Sequence, residues 1–140
     1  MQSVLNLKMR LEEQQRNAFA AAKKRLDEET DKLYALYARK EGYEQQGREM
    51  REEALHIQDI IDNDNAIARM KEYIEAQIKV IADCEKVVEA ERQKMVEMMQ
   101  ERKTYERLRE KAFEQFIEDE KHEEGVINDE HNSYVYGTKD

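Results

Sequence analysis

The stretch Ile60-Ile61-Asp62-Asn63-Asp64-Asn65-Ala66-Ile67 holds four consecutive Asp and Asn residues between apolar ones. Their short side chains bond nearby backbone groups and favour turns and helix N-caps, so the run predicts a chain reversal at 62–65. What flanks it decides the fold. Counting back by alternate threes and fours gives Ile61, Ile57, Ala54, Met50, Gly47, Tyr43, Lys40, Leu36, Leu33, Glu29, Leu26, Ala22 and Phe19, of which ten in thirteen are apolar or Tyr. Counting forward gives Ile67, Met70, Ile74, Gln77, Ile81, Cys84, Val88, Glu91, Met95, Met98, Arg102, Tyr105, Arg109, Ala112 and Phe116, with eleven in fifteen. A sustained spacing of 3.5 is the seam of a left-handed coiled coil.

Two such helices joined by a short turn fold back on each other. The expected fold is all-α, a long two-helix antiparallel coiled-coil hairpin over residues 1–140. Helix 1 is expected at about 3–61, the turn at 62–65, helix 2 at about 66–124 and a polar tail at about 125–140. At 1.5 Å per residue each helix would span ~90 Å. Residues whose numbers sum to about 128 should then face each other, including Ile61 with Ile67, Ala54 with Ile74, Gly47 with Ile81 and Lys40 with Val88. The same register suggests a seam ion pair between Glu29 and Arg102. Upstream of Phe19 the apolar positions drift to Val4, Leu7, Leu11 and Ala18. Past Phe116 the period weakens, and fraying is expected between 122 and 133, with Tyr134-Val135-Tyr136-Gly137 as a terminal tag.

Composition agrees with this architecture. Of the 140 residues 41% are charged and 39% apolar, with no Pro and four Gly. That is too polar for a compact core and typical of coiled coils. The formal charge of −9 disfavours phosphate backbones, so no nucleic acid is expected as a partner. A lone Cys84 forms no internal disulfide, and its seam position reads as packing. No apolar run of about 18 residues is present, nor the apolar stretch of a secretory signal. The expected location is the cytoplasm, with membrane contact only through partners.

Chemistry-bearing patterns are weak. Glu53-Ala54-Leu55-His56 has the Glu-x-x-His spacing of di-iron bundles, but Ala54 takes the seam position, so His56 is expected to point away. His122 and His131 lack a second His at the metalloprotease spacing. Asp62-Asn63-Asp64 opens like a calcium loop, yet Ile67 stands where Gly is required and no Glu closes position twelve. No Gly-rich phosphate loop or nucleophile elbow occurs. Neither an enzyme nor a cofactor is expected, and no catalytic or metal-binding residue is assigned. The departures that matter are apolar and aromatic residues off the seam: Tyr34, Tyr37, Tyr73, Ile78, Val80 and Val87. They either widen the buried face or form a docking strip for a partner. The Met95, Met98 and Met99 cluster reads mostly as seam.

The opening Gln2-Ser3-Val4-Leu5-Asn6-Leu7-Lys8, followed by Glu12-Glu13-Gln14-Gln15-Arg16-Asn17, resembles the start of FliJ proteins of Gram-positive type. The stretch Glu101-Arg102-Lys103-Thr104-Tyr105-Glu106-Arg107-Leu108-Arg109-Glu110-Lys111 is similar to the family's second-helix signature, and Asp129-Glu130-His131-Asn132-Ser133-Tyr134 to its tail. The resemblance implies a soluble component of the bacterial flagellar type III protein export apparatus. Family members are two-helix stalks, similar to the coiled coil of the ATP synthase gamma subunit, that bind the ring of the export ATPase FliI. They also contact the export gate protein FlhA and export chaperones, which implies a cytoplasmic protein held peripherally at the inner face of the membrane. The periodicity alone equally supports a generic coiled-coil scaffold or oligomerisation module.

Overall fold

The computed structural model describes the backbone of residues 2–53 and 56–138, and side chains through residue 128. Two helices account for it: α1, Gln2–Glu52, and α2, Ile57–Thr138. No described residue is in a strand. The chain forms two compact units, one of Leu11–Val96 and the other of Met1–Arg10 with Glu97–Asp140.

Within Leu11–Val96 the helices pack as an antiparallel hairpin, α1 ending at Glu52 and α2 beginning at Ile57, so the chain has reversed before 62–65. Asp62-Asn63-Asp64-Asn65 lies inside α2. Nothing in Glu53-Ala54-Leu55-His56 belongs to the usual turn residues, and Ala54 and Leu55 lie outside the described residues. The local signals sit on either side. The His56 carbonyl accepts from the amides of Asp59 and Ile60 at 3.0 and 3.4 Å, opening α2. Asp59 in the first turn of α2 and Arg51 in the last turn of α1 complement the two helix dipoles. Arg51 also reaches across to Asp64 at 3.0 Å, an exposed ion pair worth little by itself.

The seam positions read from the sequence hold. Phe19, Ala22, Leu26, Glu29, Leu33, Leu36, Lys40, Tyr43, Gly47 and Met50 are all half-buried or buried, as are the positions of α2 from Ile67 to Met95. Burial also follows the same count beyond the expected stripe, at Gln15 and Glu12 in α1 and at Asn63 and Ile60 in α2. Ile57 and Ile61, expected in the α1 seam, belong to α2 and are exposed. Val4, Leu7 and Leu11 are exposed as well, so the upstream drift is a surface stripe and not the seam.

The facing residues differ from expectation because of how polar seam residues are satisfied. Gln15 donates to the carbonyl and carboxylate of Glu91, Gln77 to the carbonyl and carboxylate of Glu29, and Asn63 to the carbonyl of Tyr43 at 2.9 Å. Each pair of residue numbers sums to about 106, not 128, and successive contacts are two heptads apart. Gly47 therefore faces Asn63 instead of Ile81. The expected pairs Ile61–Ile67 and Lys40–Val88 fall with the same shift, and Ala54, expected opposite Ile74, lies outside the described residues. The Glu29 carboxylate, expected to pair with Arg102, bonds Gln77 and, at 3.0 Å, Lys32; Arg102 bonds Glu106 at 2.9 Å. The reason is desolvation. The former register would set the half-buried polar groups of Gln77 and Glu91 against Met50 and Leu36, and an unpaired buried polar group costs about 1–3 kcal/mol.

A direct check uses spin labels at the exposed positions Arg39, Lys71 and Glu89. Labels at 39 and 71 should lie close within one chain. Labels at 39 and 89 should be displaced by roughly 33 Å along the helix axis, at 1.5 Å per residue. The opposite ranking would restore the turn at 62–65.

In the unit of residues 1–10 with 97–140, Lys8 sits over the Tyr105 ring at 5.8 Å, and Leu5 lies beside Glu106, Arg109 and Phe113. α2 remains helical through Thr138, so its backbone neither frays at 122–133 nor gives way to a tail at 125. The side chains of Tyr134, Val135 and Tyr136 lie outside the described residues.

Candidate partner-binding surface

Burial separates the six residues singled out above from the seam. Tyr34, Tyr37, Tyr73, Ile78 and Val87 are exposed, Tyr34 by 66%. Val80 is half-buried, and with Val87, Ala22, Arg25, Asp83 and Cys84 it lines a cleft of about 160 Å³. Cys84 itself is buried, consistent with a packing role.

The observed register brings Tyr34 level with Tyr73 across the hairpin, which the sum of 128 did not. The six do not make a single strip, however. Tyr73, Val80 and Val87 recur every seven residues and so share one flank of α2, the flank on which Arg25 of α1 closes the cleft. Tyr37 follows the seam residue Leu36 as Ile78 follows Gln77, and in an antiparallel pair such positions line the other flank together, with Tyr34 beside them. One flank thus carries two tyrosines with an isoleucine, and the other a tyrosine with two valines. Rings of this kind bind partners through apolar area while the hydroxyl stays wet.

Charge around these flanks is mixed. Glu29 bears on the fold, since the Gln77 amide and then Lys32 hold its carboxyl below the usual carboxylate range. Its contribution to the hairpin is present above that range and declines as pH falls through the lowered value.

The other candidate chemistries find no geometry. Glu53 and His56 are exposed and sit in the connection between the helices. Asp62 and Asp64 are separated by helix geometry rather than gathered in a loop, and among the described residues no three His, Cys, Asp or Glu groups could hold a metal together. No helix among the described residues is long and apolar enough to cross a membrane. Reading by residue type missed the seam roles of Glu12, Gln15 and Asn63. Continuing the three-four count past the apolar residues would have found all three.

Within Leu11–Val96 these features define an antiparallel helical hairpin with a polar-punctuated seam and aromatic flanks. The sequence profile of the family described as Flagellar FliJ protein matches residues 1–140, and the chain belongs to that family. Membership makes it a component of flagellar protein export, in a family that is structural rather than enzymatic. No curated protein and no solved structure matches the chain.

Proposed function

We propose that this chain is the stalk of the export apparatus: it binds the ring of the ATPase FliI and couples it to the gate protein FlhA and to export chaperones. It would work in the cytoplasm, peripherally at the inner face of the membrane, held there by those partners and without catalysis of its own. The observation that carries this reading is the family match over the whole chain, joined to a hairpin whose two flanks expose aromatic residues. Tyr34, Tyr37 and Ile78 are the proposed contacts on one flank, and Tyr73, Val80 and Val87 on the other. Two separate flanks suit a protein that holds two partners at once.

The test is a pull-down of the full chain with FliI and with the cytoplasmic part of FlhA. Tyr34→Ala/Tyr37→Ala should weaken one partner, and Tyr73→Ala/Val87→Ala the other, by about tenfold or more for an aromatic anchor. Circular dichroism of both variants should match the parent, because all four residues are exposed. Unchanged binding to both partners by both variants would reduce the flanks to widened seam. A generic scaffold without a flagellar role predicts no capture of either partner by the parent chain.

A further inference from the structure

We infer that the exposed end of the α2 seam, from Leu108 to Glu123, is a docking face for a partner helix that presents apolar residues followed one turn later by Lys or Arg. In the unit that contains it, Tyr105 and Arg109 are the last half-buried seam residues, and every side chain from 110 to 128 is exposed. The heptad count does not stop there. Ala112 and Phe116 continue it, flanked by Leu108, Phe113 and Ile117, and Leu108, Phe113 and Phe116 are exposed by 61, 62 and 58%. This apolar face is therefore the continuation of the interface that α1 already occupies through Leu5 and Lys8. Leu5 and Lys8 reach only its near end, beside Phe113 and Leu108, and among the described residues nothing else of this chain covers it.

The chemistry of the next turns selects the occupant. After Phe116 the seam positions become Asp119 and Glu123, and seven Asp or Glu residues stand against three Lys or Arg from 109 to 124. A helix packed on the face would set its own seam side chains against these carboxylates, so Lys or Arg is required at that level. A second copy of this chain fits poorly. Paired in parallel it opposes carboxylate to carboxylate, and paired antiparallel it presses Asp119 toward the apolar residues of its mate. The face is distinct from the two tyrosine flanks, and its partner need not be one of theirs.

The experiment titrates the full chain into two labelled helical peptides and follows fluorescence anisotropy. Both carry leucines on one face, and a turn beyond them one carries Lys and the other Glu. The Lys peptide should bind, more weakly as salt rises, and the Glu peptide should not. Phe113→Gln/Phe116→Gln should lower affinity about tenfold or more with helicity retained, since both rings are exposed. Asp119→Lys/Glu123→Lys should reverse the preference between the peptides without touching the apolar face. Tyr34→Ala/Tyr37→Ala should bind the Lys peptide as the parent does, which separates this face from the proposed ATPase and gate contacts. Equal binding of the Lys peptide by the Phe113→Gln/Phe116→Gln variant overturns the proposal. So does a concentration-dependent dimer of the parent chain, seen by sedimentation, that this variant abolishes.

Discussion

Replacing Gly47 by Leu should destabilise the hairpin by about 2–3 kcal/mol, the cost of overpacking a close helix contact. Leu is the better helix former by up to about 1 kcal/mol, so propensity alone points the other way. Geometry decides it. A Cβ at position 47 would stand 2.5 Å from Oδ1 of Asn63. Asn63 has little room to yield, being only 5% exposed with its amide tied to the Tyr43 carbonyl at 2.9 Å. Its Oδ1 has no hydrogen-bond partner, so the close approach is already held at some expense. Gly47→Ala combined with Asn63→Ala should therefore be more stable than the two single changes predict, by about 1 kcal/mol or more. Urea melts of the four proteins measure the coupling. Strict additivity, or a rise in stability for Gly47→Leu alone, would show that the helices do not meet at this point.

The second large effect lies at Ile74, 7% exposed and one of three buried apolar residues among those described, with Met70 and Cys84. Ile74→Ala should cost about 3 kcal/mol, in the range for large-to-small changes in a core. A two-stranded seam has few such residues, so that loss is a large share of the total. Lys24→Ala, on an exposed position, should cost under about 0.5 kcal/mol. Melting temperatures that fall equally for the two variants would remove the seam assignment.

The periodicity of apolar residues was legible because it repeats, and each seam residue from Phe19 to Met50 and from Ile67 to Met95 follows from its neighbours. The reversal was not, because it depends on which polar residues meet across the interface. Asp62 to Asn65 has the composition of a turn, but Asn63 is placed by Gly47 and Tyr43 on the other helix, and no local preference encodes that. The polar exceptions in the two stripes held the answer: pairing Glu29 with Gln77, and Glu91 with the overlooked Gln15, fixes the register without reference to any turn. The candidate contacts were readable as departures from the seam. Their division between two flanks required the register, since only a known register says which side of α2 lies beside Tyr37.

The three cross-helix contacts at Gln15, Gln77 and Asn63 have a mechanical consequence. Two of them grip a backbone carbonyl and a carboxylate together, and the third a carbonyl alone, spread along the Leu11–Val96 unit at equal intervals. An apolar seam by itself resists shear weakly, because one leucine is nearly as good a neighbour as the next. Here a slip of one heptad, roughly 10 Å at 1.5 Å per residue, would release every grip at the same moment. Load applied lengthwise to one helix of this unit is thus shared by all three fastenings and passed to the other helix without creep.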